Sequence, residues 1–472
     1  MLLIIVVFGL YNIFIGELVP TNGGLGWDGV TYGNITKNVT TLIGNREFDS
    51  YYAHRFLPSA IVRVVLEINK IPLSDKNIVK CFQVYNLIIV IAVLFFLLKI
   101  FKKINVSESS KWVGFFTMFF SFECSKQFYY DPVLTDSTAL LIGILLLFFY
   151  IERKLVCLLI LSIIGSMSWQ LTSVCVAVAI LFIDTKFIIR DKKLVNSHLI
   201  NIFKIITFIT VASYLYTKIA KNSYNIYFGK IITGLPSITI LTFGLVNLLW
   251  LGKLTDFKCK INIKKVLCAI AALIIPNLIS KYLSQHGNVL SYTNEQLIGL
   301  FIPPYREFFL PFVTLASYWG PMIIFVFIYW GVFCNKVKSL GVGYVLIIAI
   351  NIILSLDCEP RFITLGWPFI VVGGVLAMDA IKPTTQYKYL FILCTILASC
   401  CWLKINSPSW SPVAEADLFI LPKQLFFMHY GQWTHHYYYR IELAIFLILG
   451  ITSFIFCNPL KLKDCSSEYP IK

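Results

Sequence analysis

An all-α polytopic membrane protein is the fold class predicted by this sequence, and three observations carry the prediction. Hydrophobic residues make up 58% and charged residues 14% of the 472 positions, with a mean hydropathy of +0.78, values far from those of soluble domains. Apolar runs of roughly 17 to 25 residues, the length an α-helix needs to cross a hydrocarbon layer about 30 Å thick, recur from end to end. The basic residues gather at alternate turns between those runs, as they do in loops that stay in the cytoplasm. Together these predict one transmembrane domain over residues 1–472, a bundle of about 12 to 14 helices.

The first run, 1–19, has no basic leader and no small-residue cleavage site, so it reads as a retained span and not as a signal peptide. Residues 20–81 then form a long first outer loop. Apolar positions recur every three or four residues over Val30–Ile43 and Phe56–Ile68, which predicts two helices lying along the interface. Spans follow at 82–101, 112–128, 133–151, 155–166, 169–184, 203–220, 236–251 and 266–281. A second large outer loop, 282–310, leads to spans at 311–334, 340–356, 362–380 and 387–403, and a third, 404–440, to a last span at 441–457. Pro276 and Pro321 fall inside these runs, where neighbouring helices can satisfy the freed backbone groups.

The formal charge of +16 raises the question of nucleic acid, which the placement of the charges answers. Lys99, Lys102 and Lys103 follow the second span, Arg153 and Lys154 the fourth, Lys186, Arg190, Lys192 and Lys193 the sixth, and Lys264 and Lys265 precede the ninth. Lys336 and Lys338, Lys382 and Lys388, and Lys461 and Lys463 continue the series. The excess is an orientation signal: both termini are expected in the cytoplasm of a plasma (inner) membrane, with the three large loops outside. No basic and aromatic face accompanies it, so nucleic acid is not an expected partner. The 13 Cys residues lie mostly within apolar runs and form no CxxC pair, and they read as small buried hydrophobes.

Nearly every residue suited to chemistry falls on the outer side. In "GWDGVTYGNITKN", Asp28 stands between Trp27 and Tyr32 at the rim of the membrane, where an ionised carboxylate can accept a proton from an attacking hydroxyl. Its structural alternative is a cap on the helix expected from Val30. In "YYDPVLTDSTALL", Asp131 and Asp136 precede and enter a span, and N-capping alone could account for Asp136. In "SLDCEPRFITLGWP", Glu359 and Arg361 lie between two spans. The planar fork of Arg361 suits a phosphate oxyanion, while pairing with Glu359 is the alternative. Arg306 in "PPYREFFLP" offers a second phosphate contact or a simple ion pair, and His436 and Arg440 in "HHYYYR" offer contacts to substrate or lipid headgroups.

With these motifs in place, the layout resembles the GT-C superfamily of integral-membrane glycosyltransferases. The likeness consists of Asp28 in a long first outer loop with interfacial helices, the acidic turn of Asp131 and Asp136, a broken hydrophobic region at "GSMSWQLTSV", and the acidic-Arg-aromatic lead-in "EPRFITLGWP". Trp169 and Gln170 stand where many relatives carry an Arg-Glu-like pair. The resemblance implies a GT-C-like bundle and inverting transfer of a sugar from a polyprenyl-phosphate donor to a lipid, glycan or protein acceptor. Asp28 and Asp131 would be the catalytic carboxylates, with Tyr32, Asp136, Arg306, Glu359, Arg361, His436 and Arg440 binding substrate. It implies no obligatory cofactor, and a divalent metal is optional. Membrane lipids are the other expected partners. An O-antigen polymerase or ligase would need its dominant outer loop late in the chain, and a lipid or solute transporter would show corresponding halves and intramembrane charge. The sequence shows neither pattern.

Overall fold

Glycine, proline and short polar side chains punctuate the apolar runs, and several helices begin or end at them. The computed structural model describes residues 1–189, 231–250, 254–258, 262–284, 307, 309–406 and 436–456. In chain order the helices are α1 (Leu2–Phe14), α2 (Gly29–Asn45), α3 (Leu57–Ile68), α4 (Asp75–Lys103), α5 (Glu108–Phe119), α6 (Phe128–Tyr130), α7 (Asp136–Ile151), α8 (Leu155–Ser166) and α9 (Thr172–Leu181). They continue as α10 (Ile231–Trp250), α11 (Ile263–Leu283), α12 (Leu310–Trp319), α13 (Met322–Ile328), α14 (Trp330–Ser339), α15 (Val342–Leu354), α16 (Trp367–Ile381), α17 (Thr385–Ala398) and α18 (His436–Phe456). A short antiparallel ribbon pairs β1 (Lys186–Ile189) with β2 (Leu254–Lys258).

Four of the starts follow from capping. Ser74, Ser107, Asn262 and Thr384 accept a backbone N–H from the first turns of α4, α5, α11 and α17, satisfying donors that a helix N-terminus leaves unpaired. The two helices expected in the first outer loop are present as α2 and α3. Tyr32, Ile35 and Val39 of α2 and Val62 and Leu66 of α3 pack with Ile78, Val79 and Phe82 of α4. Val64 and Ile68 on the other side of α3 stay exposed.

The expected bundle of about 12 to 14 transmembrane helices, and with it the GT-C-like span count, is overturned. Among the described residues two helices are long and apolar enough to cross a membrane, α4 and α11, or three if α13 and α14, bent by 95°, form one span. The physical reason is that an apolar run is not an unbroken helix. The run 112–128 ends as a helix at Phe119 and gives way to a π-helical turn, Glu123–Gln127. The run 311–334 breaks at Gly320, which has φ +86, and Pro321. α8, with 12 residues, and α9, with 10, reach only about 18 and about 15 Å at 1.5 Å per residue, well short of the hydrocarbon thickness. The run 203–220 lies outside the described residues.

Both candidate spans connect the same two ends of the helical assembly. α4 starts beside the first-loop helices and ends at Lys103, whose Nζ meets Glu152 Oε1 at the end of α7 at 3.1 Å. α11 runs the opposite way. Its Lys265 Nζ donates to Asp184 Oδ2 at 2.7 Å, and its last turn reaches the α2–α3 connection, where Arg46 donates to Tyr282 Oη at 2.7 Å and Phe48 N to the Leu283 carbonyl. One end therefore collects Lys103, Arg153 and Lys265 in ion pairs. The opposite end carries Asp28 and Arg361.

Candidate active site

The site is assembled from five connections between helices. The first is the glycine-rich turn ahead of α2. Gly26 has φ +73, and a Cβ built on it would lie 2.7 Å from Asp131 Oδ1, so both the backbone conformation and the carboxylate behind it require glycine there. Asn22 Nδ2 donates to the Gly26 carbonyl at 2.8 Å and holds the turn. Asp28 follows as the N-cap residue of α2, yet its side chain makes no capping bond. Its Oδ2 instead accepts from Arg361 Nη2 at 3.3 Å, so the capping alternative does not describe this carboxylate. Asp28 is 51% exposed and Arg361 30%.

Arg361 sits in the 3-10 turn Pro360–Ile363 between α15 and α16. Its Nε donates to Glu359 Oε1, so the ion pair that competes with phosphate binding is present. The guanidinium has more N–H groups than Asp28 and Glu359 use. Burial works against its charge, but Glu359, Asp136, Asp28 and Tyr51 together outweigh burial and raise its pKa further. Asp357, at the same connection, is pushed up to about 6 by burial and by the repulsion of Glu359.

The connection from α5 through the π-turn and α6 to α7 supplies the buried acids. Glu123, Asp131 and Asp136 are 0%, 4% and 3% exposed. Both carboxyl oxygens of Glu123, Asp131 Oδ1 and Asp136 Oδ1 are buried with no hydrogen-bond partner. Burial pushes Asp131 up to about 8, with Arg361 opposing and Asp28 and Asp136 reinforcing the rise. The same cause raises Asp136, against the pull of Arg361 and Arg55.

A second guanidinium faces this group from the α2–α3 connection. Arg55 lies 4.3 Å from the Tyr51 ring centroid and 4.7 Å from that of Trp169, a cation held between two π-faces. Tyr32, buried in α2, packs edge-on against Tyr52 at 5.5 Å and faces Arg55 and Thr135. Burial, with the charge of Arg55 opposing, leaves Tyr51 at about 12. Trp169 arrives on the α8–α9 connection, which is pinned by Leu57 N donating to the Met167 carbonyl at 3.0 Å.

Asp28, Tyr32, Asp131, Asp136, Glu359 and Arg361 are thus brought together from three remote stretches of sequence. Arg306 lies outside the described residues, as does most of loops 282–310 and 404–440. His436 opens α18. Arg440 is exposed on the same helix, and no ion pair found among the described residues joins it to the site carboxylates. Sequence reasoning missed Gly26, Tyr51, Arg55 and Glu123. The signals were a glycine run ahead of Asp28, an arginine inside the aromatic stretch "SYYAHRF", and a carboxylate inside an otherwise apolar run at "SFECSK".

Among the described residues, no group of three or more His, Cys, Asp and Glu side chains is placed to hold a metal ion. The cysteines described are free thiols. A cavity of about 300 Å³ lies between α10, α12, α13, α14, α15 and α16; Phe312, Phe327, Trp330, Phe333 and Ile348 are among its apolar walls, and Ile363, the last residue of the Arg361 turn, lines it as well. No family model, no curated protein and no solved structure matches this chain.

Proposed function

We propose that this protein is a membrane glycosyltransferase that moves a sugar from a polyprenyl-phosphate carrier to an acceptor hydroxyl with inversion. The observation that carries the reading is the meeting of Asp28 with Arg361 at 3.3 Å, beside buried carboxyl groups whose oxygens lack partners. A half-exposed carboxylate is an accessible base, and an arginine with spare N–H groups suits a phosphate. Oxygens lacking partners in a buried wall favour a ligand rich in hydroxyl donors. The apolar cavity bordering the Arg361 turn suits the hydrocarbon part of a lipid donor.

In the reaction the acceptor oxygen attacks the anomeric carbon while its proton passes to Asp28. The bond from that carbon to the phosphate oxygen breaks, the electron pair leaves with the phosphate, and Arg361 offsets the growing charge. One base suffices, because no covalent glycosyl intermediate forms. Asp131 and Asp136 hold sugar or acceptor hydroxyls, Glu359 fixes Arg361, and Tyr32 fixes Arg55.

α4 and α11 are the candidate spans. Placed in a plasma membrane with the Lys103, Arg153 and Lys265 end in the cytoplasm, they set this site on the outer side. The test is transfer by the purified protein in proteoliposomes containing radiolabelled polyprenyl-phosphate sugar. Asp28→Asn should lower the rate by about 10²- to 10⁴-fold with insertion and folding intact. Wild-type turnover in that variant refutes the assignment of the base.

A further inference from the structure

Glu123 has no part in the transfer described above, yet it is a fully buried carboxyl group at the same site. It is the first residue of a π-helical turn, an arrangement that is rare and concentrated at functional sites. Its side chain is wholly buried, and neither carboxyl oxygen has a hydrogen-bond partner. The turn is held from behind. Lys126 Nζ donates to Glu17 Oε2 at 3.0 Å and to the Leu403 carbonyl at 3.1 Å, and Glu17 also accepts from Ile405 N and Asn406 N at 2.7 and 3.0 Å. The lysine nearest in sequence is therefore spent on Glu17, and Glu123 is left beside the site acids without a cation of its own.

The charged and titratable groups that face Glu123 are Asp136 at the start of α7, Asp131 ahead of it, Arg361 across the site and Cys124 in the same turn. Arg361 is already engaged by Asp28 and Glu359. A desolvated carboxylate with two carboxyl neighbours and one shared guanidinium is far more costly than the neutral acid. Burial, reinforced by Asp136 and Asp131, accordingly raises the pKa of Glu123 well above the ordinary carboxylate range.

We infer that Glu123 holds a proton in the folded protein and presents a neutral carboxylic acid to the site, where it donates a hydrogen bond to a hydroxyl or ring oxygen of the sugar. The ligand class rests on the proposed glycosyl transfer; the protonation does not. A neutral acid both donates and accepts, so it can pair with a sugar hydroxyl in either sense. It adds no negative charge beside the phosphate of the donor.

The test compares Glu123→Gln, which mimics the protonated acid, with Glu123→Ala, in the full-length protein in detergent and in proteoliposomes. Infrared titration reads the proton directly. Wild type should show a protonated-carboxyl C=O band at neutral pH that loses one carboxyl's share of its intensity in Glu123→Gln, the remainder belonging to buried acids such as Asp131; a band of equal intensity in both proteins overturns the inference. In the transfer assay Glu123→Ala should raise the apparent KM for the sugar donor about tenfold or more at neutral pH, and Glu123→Gln, whose amide still donates a hydrogen bond, should raise it several-fold less than Glu123→Ala does. Wild-type KM in Glu123→Ala, or a folded Glu123→Gln protein with a rate reduced a hundredfold, overturns the role, the second because it would mean that the ionised carboxylate is needed. Should Glu123→Ala fail to fold, Glu123→Gln and the infrared band decide alone. A wild-type protein without transfer activity refutes the glycosyl-transfer reading, and the infrared comparison still decides where the proton is.

Discussion

Replacing Asp131 by asparagine isolates the electrostatic cost of burying a carboxyl group at this site. Asp131 is 4% exposed, and burial lifts its pKa from 3.8 to about 8. In the unfolded chain the group titrates at the ordinary carboxylate value, so between about pH 4 and about pH 8 the folded protein keeps a proton that the unfolded chain has released. The sign follows. The stabilisation tied to this proton is fully present below about pH 4 and is lost as pH rises through about 8. Each pH unit inside that window is worth about 1.4 kcal/mol, so the whole window amounts to about 6 kcal/mol. The amide of Asp131→Asn keeps the volume and does not titrate, so the variant should lack this slope. It should become more stable than wild type by several kcal/mol near pH 8.5, and the gap should shrink as pH falls to about 5. Unfolding in mild detergent, followed by tryptophan fluorescence across that range, measures the difference between the two proteins directly. Stability curves that run parallel from pH 5 to 9 would refute the reasoning, because they would mean that Asp131 titrates like an exposed carboxylate.

Two further substitutions test the positioning of the site. Gly26→Ala places a Cβ on a residue with φ +73 and only 2.7 Å from Asp131 Oδ1; the backbone and the clash together should cost about 2 to 4 kcal/mol. Adding Asp131→Ala should restore the part due to the clash and leave the backbone part, and equal losses in the single and double variants would show that the two residues do not touch. Arg361→Ala removes the partner of Asp28 and Glu359 and should weaken use of the lipid-phosphate donor by about tenfold to a hundredfold with the affinity for acceptor nearly unchanged. Unchanged donor dependence in a saturation series would leave Arg361 a structural ion pair.

Helix positions were legible because they follow the apolar runs: the run 155–166 coincides with α8, and the run 82–101 lies inside α4. Span number was not legible. Composition does not register a π-turn at Glu123, a left-handed glycine at 320 or a 95° bend at Tyr329, and each of these ends a helix inside an apolar run. The site shows the same division. Asp28, Asp131 and Arg361 announce themselves as charges at the edges of apolar segments, which is where charge is expensive. Arg55 does not, because what makes it notable is the pair of rings on either side of it, and Trp169 comes from more than a hundred residues further along the chain. Glu123 carried a readable signal, a carboxylate within the run 112–128, but the reading of that run as one uninterrupted span left no reason to look inside it.

The charges at the site also explain why the acids divide into two kinds. Six carboxyl groups, Asp28, Glu123, Asp131, Asp136, Asp357 and Glu359, surround the two guanidiniums of Arg55 and Arg361. Were all six ionised, the site would carry an excess of four negative charges and would repel a phosphate. The carboxylates that solvent reaches, Asp28 and Glu359, are the ones paired with Arg361. The three that it does not reach have raised pKa values. Burial shifts Glu123, Asp131 and Asp136 toward the neutral form, which lowers the negative charge of the wall that faces the ligand while leaving it polar. An anionic lipid donor and a base strong enough to accept a hydroxyl proton can then share one pocket, because the charge of the base is held by Arg361 at its exposed edge while the interior contributes hydrogen bonds.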